Sequence, residues 1–169
     1  TAFIDLTLGG DRIWDSLKRD TRKDIKKGSK NGLSVIELKK DDLLKYKNLI
    51  TENMKRNNMS MPPHYPDNLM WDSLRCNGYE LVRVLAVQKN GSLAGALGLL
   101  EFNGVVSQIG SEQSNEAYLK KLNINDLITW GAILWGANNG KRIYDISGMA
   151  MAPQNKKEEG IKRYKLKWS

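Results

Sequence analysis

Two adjacent residues near the end of the chain, Tyr164 and Lys165, are of types that could take part in catalysis. They stand in GIKRYKLKWS, residues 160–169, among four further basic or aromatic residues. A lysine ammonium can stabilise negative charge that develops on a reacting group. The same residues could instead form the surface of a basic helix. The stretch is therefore either part of an active site or an ordinary basic tail.

Asp145 is a third candidate, because it lies near the end of the strand-like stretch KRIYDIS. A strand that follows a helix is expected to run parallel to its neighbour, and ligands gather at the ends of such strands. A carboxylate there could orient or deprotonate an incoming amine. Equally, it could cap the turn toward Gly148.

Positive charge is concentrated at the two ends of the chain, within a net charge of +8. Eight Lys/Arg face four Asp between Asp11 and Lys30, and six face two Glu between Lys156 and Lys167. Such segments suit a nucleic-acid backbone, a diphosphate or an anionic membrane surface. Positions 22, 26 and 30 share one face of a helix. The candidate phosphate-binding residues are Arg22, Lys26, Lys27 and Lys30, with a solvated surface as the alternative.

Composition disfavours several classes of protein and site. With 40% hydrophobic and 27% charged residues, the chain is typical of a globular protein of one domain, and no apolar run is long enough to cross a bilayer. The single cysteine, Cys76, precludes an internal disulfide and suits a reducing cytoplasm. Because His64 is the only histidine, we expect no metal site of the zinc type.

A three-stranded antiparallel meander is the clearest structural signal. YELVRVLAVQ, SLAGALGLLEF and VVSQIG are strand-like runs joined by Asn90-Gly91 and Asn103-Gly104, pairs typical of tight hairpins. Before them we expect a strand over 2–6, helical segments that begin with Asp11 as a cap, a strand over 33–38, a helix that begins at Asp41 and Asp42, and a helix over 66–76. After them we expect a helix, a parallel strand and a final helix over 156–165. This order resembles the α/β (α+β) GNAT-like acyl-CoA N-acyltransferase fold, a mixed, mostly antiparallel sheet flanked by helices.

Four stretches resemble FemAB-type aminoacyltransferases, which add amino acids from aminoacyl-tRNA to peptidoglycan precursors. AVQKNGSLAGALGLL is similar to the hairpin of that family, and ITWGAILWGANNGKRIYDISG to its helix and its Tyr-Asp-x-x-Gly strand end. GIKRYK is similar to its Gly-Ile-x-x-Phe-Lys element, with Tyr164 in place of phenylalanine. DRIWDSLKRDTRKDIKKGSKNGLSV resembles a basic family segment through Arg22, Ile25, Lys26, Lys27, Lys30 and Gly32.

The resemblance implies roles for these residues. Lys165 would stabilise the oxyanion, and Tyr164 would pack beside the reacting centre. His64 and Tyr65 would lie in a loop that covers the substrate, although a lone histidine can equally be incidental. The implied partners are tRNA and a UDP-linked or lipid-linked muropeptide, in the cytoplasm or at the inner face of the membrane.

FemAB-type proteins contain two GNAT-like halves, and this chain resembles the C-terminal one. We expect a single domain over 1–169, with a strand and basic helical arm over 1–32 and a core over 33–169. The chain does not begin with methionine, which fits a segment of a longer protein. An N-terminal half, or a second copy in a dimer, would then complete it.

The donor is expected to be aminoacyl-tRNA rather than a bound cofactor. GNAT enzymes that use acetyl-CoA hold its pyrophosphate on a glycine-rich turn before a helix. The corresponding stretch here, SNEAYLKKLNIN, contains no glycine, so acetyl-CoA is the less favoured donor. Two alternatives stay open: a GNAT-fold acyltransferase that uses an acyl-CoA on an unknown amine, and a non-catalytic binding half.

Overall fold

The computed structural model describes residues 2–60 and 81–168. Within these ranges six strands form one sheet in the order β1-β6-β5-β4-β3-β2. The strands are β1 (Phe3–Asp5), β2 (Ser34–Glu37), β3 (Val82–Lys89), β4 (Ser92–Phe102), β5 (Val105–Gln113) and β6 (Ile143–Asp145). The helices of the same ranges are α1 (Gly10–Ser16), α2 (Arg19–Lys30), α3 (Leu43–Arg56), α4 (Asn115–Leu119), α5 (Ile124–Asn138) and α6 (Lys156–Leu166).

The pairs β2–β3, β3–β4 and β4–β5 are antiparallel, and the predicted meander is confirmed. The two turns between β3, β4 and β5 hold Asn90 and Asn103 at φ values of 49° and 46°, each followed by a glycine at positive φ. Asparagine and glycine reach this conformation more readily than other residues do. The local sequence therefore determines the register of this half of the sheet.

Strands β5 and β6 run parallel but stay together only briefly. Their pairing covers Val105–Ser107 against Ile143–Asp145, as the helix-to-strand order predicted. Beyond Ser107, β5 continues to Gln113 beside β4 alone. On its other side β6 pairs antiparallel with β1. The result is a mixed sheet that opens into a gap where β5 and β6 diverge.

Two apolar layers cover the sheet because alternate residues of each strand face opposite sides. Leu85 and Val87 of β3 belong to the larger core, which also contains the buried faces of α2 and α5. Val84 and Ala86 belong to a smaller core under α3. Helix α5 approaches β2 closely at Gly131, where an added Cβ would lie 2.8 Å from Val35 Cγ1.

The basic helix α2 is amphipathic, which explains how it docks. Thr21, Ile25 and Gly28 recur at helical spacing and are buried, while the charged side chains face outward. An added Cβ at Gly28 would lie 3.2 Å from Leu127 Cβ, so glycine permits the close contact between α2 and α5. The first 32 residues, predicted as a strand and basic arm, therefore contribute both a strand and a packed helix to the domain.

Most expected boundaries are correct to within two residues, but one cap is wrong. Gly9, not Asp11, is the N-cap of α1, and Asp11 lies in the first turn. Gly9 has a φ of 78°, which a residue with a side chain rarely adopts. A helix expected over 66–76 lies outside the described residues. Among the helices that the structure describes, none is long and apolar enough to cross a membrane.

Candidate active site

A cleft of about 760 Å³ lies beside the part of β5 that continues beyond its pairing with β6. Strand β5 forms one wall, α6 another, and the end of α3 closes one side. The lining residues are Asn53, Arg56, Asn57, Gln108, Ser111, Gln113, Tyr118, Asn125, Lys157, Gly160, Ile161, Tyr164 and Lys165. Because this cleft contains the predicted Tyr164 and Lys165, we take it as the candidate active site.

Helix α6 carries Lys165 into the cleft, and its start is well capped. The Asn155 side chain accepts a hydrogen bond from the Glu158 backbone N–H at 3.0 Å, which satisfies a donor that the helix leaves unpaired. Glu158 and Glu159 lie in the first turn, where negative charge complements the helix dipole. These local features explain why the helix begins at Lys156.

Tyr164 fixes α6 against the start of α5. Its hydroxyl donates to the Asn125 carbonyl oxygen at 2.9 Å and accepts from Thr129 Oγ1 at 2.8 Å. Burial raises the pKa of this phenol well above its ordinary value, so the group is neutral and serves as a hydrogen-bonding anchor. Tyr164 is also part of the cleft lining.

Lys165 lines the same cleft and is held by the loop that follows β6. Its Nζ donates to the Gly148 carbonyl oxygen at 2.6 Å. Partial burial lowers the pKa of Lys165, and the nearby negative charge of Asp145 opposes that shift. A partly desolvated ammonium with a fixed direction can donate to an oxyanion more effectively than one on an open surface.

Asp145 stands at the end of β6, at the point where β5 and β6 diverge. One carboxylate oxygen accepts from the Ser147 backbone N–H at 2.8 Å, and the other accepts from Ser107 Oγ at 3.4 Å. The first contact is the turn-capping role that the sequence left open. Asp145 is outside the cleft lining, and it acts on the cleft through its charge, which favours the ammonium form of Lys165.

A cation that the sequence did not reveal lies on another side of the cleft. Arg56, the last residue of α3, donates to the Asn115 side-chain oxygen at 2.6 Å and to the Gln113 carbonyl oxygen at 2.9 Å. It also donates to the side-chain oxygen of Asn53. Two of these acceptors are 57 and 59 positions away in sequence, so no local motif could have identified the group.

The predicted phosphate-binding residues come together in a separate cavity. Arg22, Lys26, Lys27 and Lys30 line a space of about 620 Å³ with Trp14, Arg19 and Lys23. Lys26 Nζ lies 5.6 Å from the centroid of the Trp14 ring, a cation–π distance. The sequence indicated four of the six Lys or Arg residues that line this cavity, but it did not indicate Trp14. The predicted loop residues His64 and Tyr65 lie outside the described residues.

The start of α5, where an acetyl-CoA enzyme would hold pyrophosphate, is covered by the end of α6. Asp126 lies in the first turn of α5 with an exposed fraction of 8%. Its carboxylate contacts Lys167 Nζ, while burial raises the pKa of Asp126 and Lys167 opposes that shift. Trp168 is buried, and its ring centroid lies 6.4 Å from that of Tyr164.

Over residues 2–60 and 81–168, no group of three or more His, Cys, Asp or Glu side chains is arranged to hold a metal ion.

Comparison with known proteins identifies the fold. No protein-family model and no curated protein sequence matches the chain. The structure of FemX is similar with a TM-score of 0.81 and 11% identity, over 98% of this chain and 57% of FemX. The C-terminal domain (DUF2156) of a putative lysylphosphatidylglycerol synthetase from Agrobacterium fabrum is similar with a TM-score of 0.69 and 14% identity, over 99% of this chain and 55% of that one.

An acetyltransferase shares the architecture at a greater distance. Aminoglycoside acetyltransferase meta-AAC0020, from an uncultured soil metagenomic sample, has a TM-score of 0.57 and 16% identity over 81% of this chain and 88% of its own. The GNAT-like fold class predicted from the sequence is confirmed, and so is the FemAB-type resemblance at the level of the fold. The chain has the GNAT-like fold of FemX and spans a little over half of the length of that protein.

Proposed function

We propose that this domain transfers an aminoacyl group to an amine in the cleft beside β5. The observation that carries the proposal is the Lys165 ammonium, which lines the cleft and is held by the Gly148 carbonyl oxygen. The acyl- and aminoacyltransferase character of the structural neighbours supports the general reaction. The FemAB-type resemblance of GIKRYK adds the assignment of Lys165 to the oxyanion.

The reaction balances without a redox step or a bound cofactor. The amine attacks the ester carbonyl carbon, and the carbonyl oxygen becomes an oxyanion that accepts a hydrogen bond from Lys165. Collapse of the tetrahedral intermediate forms the amide and breaks the ester. The amine proton passes to the departing oxygen, which leaves as a hydroxyl. Tyr164 acts as a positioning residue because its hydroxyl is engaged by Asn125 and Thr129.

For the donor, we propose aminoacyl-tRNA. The cavity lined by six Lys or Arg side chains and Trp14 suits a ribose-phosphate backbone. The start of α5 carries the buried Asp126 and is covered by Trp168, which disfavours a pyrophosphate there. For the acceptor we propose, from the family resemblance, the peptide of a UDP-linked or lipid-linked muropeptide. An N-terminal GNAT half or a second copy of the chain is the proposed completing partner.

Replacement of Lys165 by methionine tests this function. We expect the single-turnover rate of transfer from aminoacyl-tRNA to a UDP-linked muropeptide to fall about 10²- to 10³-fold, the usual effect of losing one oxyanion donor. Substrate affinity should change little, because the interaction strengthens only in the transition state. Quenched single-turnover reactions with labelled aminoacyl-tRNA would measure the rate and the affinity separately.

Lys156→Met is the control. Lys156 is the exposed first residue of the same helix, and it lines neither the cleft nor the basic cavity beside α2. Its replacement removes the same charge, so the rate should stay within a few-fold of wild type. Equal losses in the two variants would contradict the role of Lys165. Transfer from acetyl-CoA in place of aminoacyl-tRNA would replace the proposed donor with an acyl-CoA.

A further inference from the structure

Arg56 is a cation that is built into the cleft and has no role in the reaction derived above. Its guanidinium donates to three oxygens, on Asn115, Gln113 and Asn53. The centre of the guanidinium also lies 4.8 Å from the centroid of the Tyr118 ring. These contacts hold the planar group in one orientation, although the side chain is only half-buried.

The acceptors of Arg56 are themselves held in place. Asn53 donates from its side-chain nitrogen to the half-buried Glu112 carboxylate, and its oxygen then accepts from Arg56. The backbone N–H of Asn115 donates to Glu52 at 3.0 Å. Glu112 is not part of the cleft lining. A relay of hydrogen bonds therefore positions a guanidinium that contacts the cleft.

Arg56 keeps hydrogen-bonding capacity for a ligand. A guanidinium has five N–H donors, and the three bonds above use three of them. The Nε–H and one Nη1–H therefore have no acceptor among the described residues. Each of them can donate a charge-assisted hydrogen bond to an oxygen of a carboxylate.

The composition of the cleft points to an anionic ligand with many hydrogen-bonding groups. Three cations line it, namely Arg56, Lys157 and Lys165. Its described lining has no carboxylate, and it contains five side-chain amides, on Asn53, Asn57, Gln108, Gln113 and Asn125. Side-chain amides both donate to and accept from peptide groups. A peptide that ends in a carboxylate satisfies both the charge and the hydrogen bonds.

Strand β5 sets the distance between the reacting end and Arg56. Lys165 donates to Gly148, whose neighbour Ser147 donates from its hydroxyl to the Gln108 carbonyl oxygen. Arg56 donates to the carbonyl oxygen of Gln113 on the same strand. Gln108 and Gln113 are five residue steps apart along the strand, which is a span of about 16 Å at ~3.3 Å a residue. An extended peptide covers that span with about four or five residues.

We propose that Arg56 forms a carboxylate-binding subsite, so that the cleft selects acceptors whose free carboxylate lies about 16 Å from the acylated nitrogen. This inference rests on the proposed function, because it uses Lys165 as the reacting end. It adds a residue that determines which amines are accepted. An amine without a distant carboxylate would leave the Arg56 guanidinium without its partner.

Binding of product analogues tests the subsite without requiring turnover. The probes are N-acetyl oligoglycines of one to six residues, each as the free acid and as the C-terminal amide. For wild type we expect the acid to bind best at four or five residues, and about 10- to 100-fold more tightly than the amide of equal length. In Arg56→Gln the acid and the amide should bind equally. Calorimetric or NMR titration of the chain would give these affinities.

Two further variants make the test specific. Lys55→Gln removes the same charge from the neighbouring exposed position of α3, and it should keep the preference for the acid. Arg56→Lys retains the charge but not the planar group that the three hydrogen bonds orient, and it should weaken only the acid, by several-fold. Equal binding of acid and amide to wild type, or an equal loss of both in Arg56→Gln, would overturn the subsite.

Failure of the subsite and failure of the proposed function give different results. A preference for the acid that depends on Arg56, with no aminoacyl transfer by the wild-type chain, would support the subsite and argue against the function. Transfer that depends on Lys165, with no preference between acid and amide, would support the function and overturn the subsite.

Discussion

Lys165, the proposed oxyanion donor, is coupled electrostatically to Asp145. Burial lowers the pKa of Lys165, so its ammonium form is lost at a lower pH than that of an exposed lysine. The Asp145 carboxylate opposes this effect and extends the pH range in which the ammonium persists. The backbone N–H of Ser147 keeps that carboxylate in place.

Asp145→Asn should move the alkaline limit of activity to lower pH. The asparagine oxygen can still accept from Ser147, but the negative charge that raises the pKa of Lys165 is gone. The ammonium would then lose its proton earlier as pH rises. Single-turnover rates between pH 6 and 10 would locate the limit, with Glu159→Gln on the exposed side of α6 as the control. An unmoved limit in Asp145→Asn would refute the coupling.

The residues of the site divide into those that local sequence could predict and those that it could not. Tyr164 and Lys165 are adjacent, so one short stretch was enough to propose both. Arg56 depends on Gln113 and Asn115, and its importance appears only after α3 and β5 have packed together. Asp145 was predictable only in part. Its place at a strand end follows from the sequence, but its distance from the cleft does not.

Helix α6 is the element on which the site depends, and it is attached mainly at its C-terminal half. Tyr164 bonds to the start of α5, Lys167 contacts Asp126, and Trp168 is buried. Lys167 also lies 3.8 Å from Asp24 of α2. These contacts join three helices at one point. Loss of the anchor would displace Lys165, which is next to Tyr164 in the chain.

Tyr164→Phe should destabilise the domain. The change removes a hydroxyl that is bonded to both Asn125 and Thr129, and unpaired buried polar groups cost about 1–3 kcal/mol. Urea denaturation followed by circular dichroism would give the free energy of unfolding. Tyr118→Phe is a suitable control because Tyr118 is exposed at 55%, and it should be nearly neutral. Similar losses in the two variants would argue against the anchoring role.

Among the elements, the meander could be predicted well because each of its turns is encoded by an Asn-Gly pair. The position of β1 in the sheet could not be predicted in this way. The sequence indicated a strand near the start of the chain, but its partner β6 is formed by residues 143–145. Nothing local to either segment specifies that pairing, which follows from the remaining open edge of β6 once β5 has taken the other.

At the scale of the whole molecule, the net charge of +8 is organised into patches. The cavity of α1 and α2 holds six cations, and a smaller one of about 460 Å³ is lined by Lys18, Lys162, Arg163 and Lys167 among others. Both lie outside the cleft lining. This separation suits a large polyanion that binds across the surface while its reactive end enters the cleft.

Arg22→Gln combined with Lys26→Gln should reduce the salt dependence of tRNA binding. Each phosphate contact contributes about 0.7 to 0.9 to the slope of log K against log salt concentration, so losing two contacts should reduce the slope by about 1.4 to 1.8. Fluorescence anisotropy at several salt concentrations would measure it. The control replaces Lys47 and Lys55, two exposed lysines of α3. An equal change in the control would indicate general charge attraction instead of a site.

The pairing of β1 with β6 also has a consequence for the time course of folding. The meander joins neighbours in sequence and can form early, whereas β1 and β6 must meet across almost the entire chain, at a large loop-closure cost. Lys165 lines the cleft and is held by the loop that follows β6, so we expect the cleft to be completed late. Residues that line it contribute little to the folding nucleus, so substitutions there are expected to act on the unfolding rate more than on the folding rate. The chemistry of the cleft can therefore diverge without slowing the acquisition of the fold.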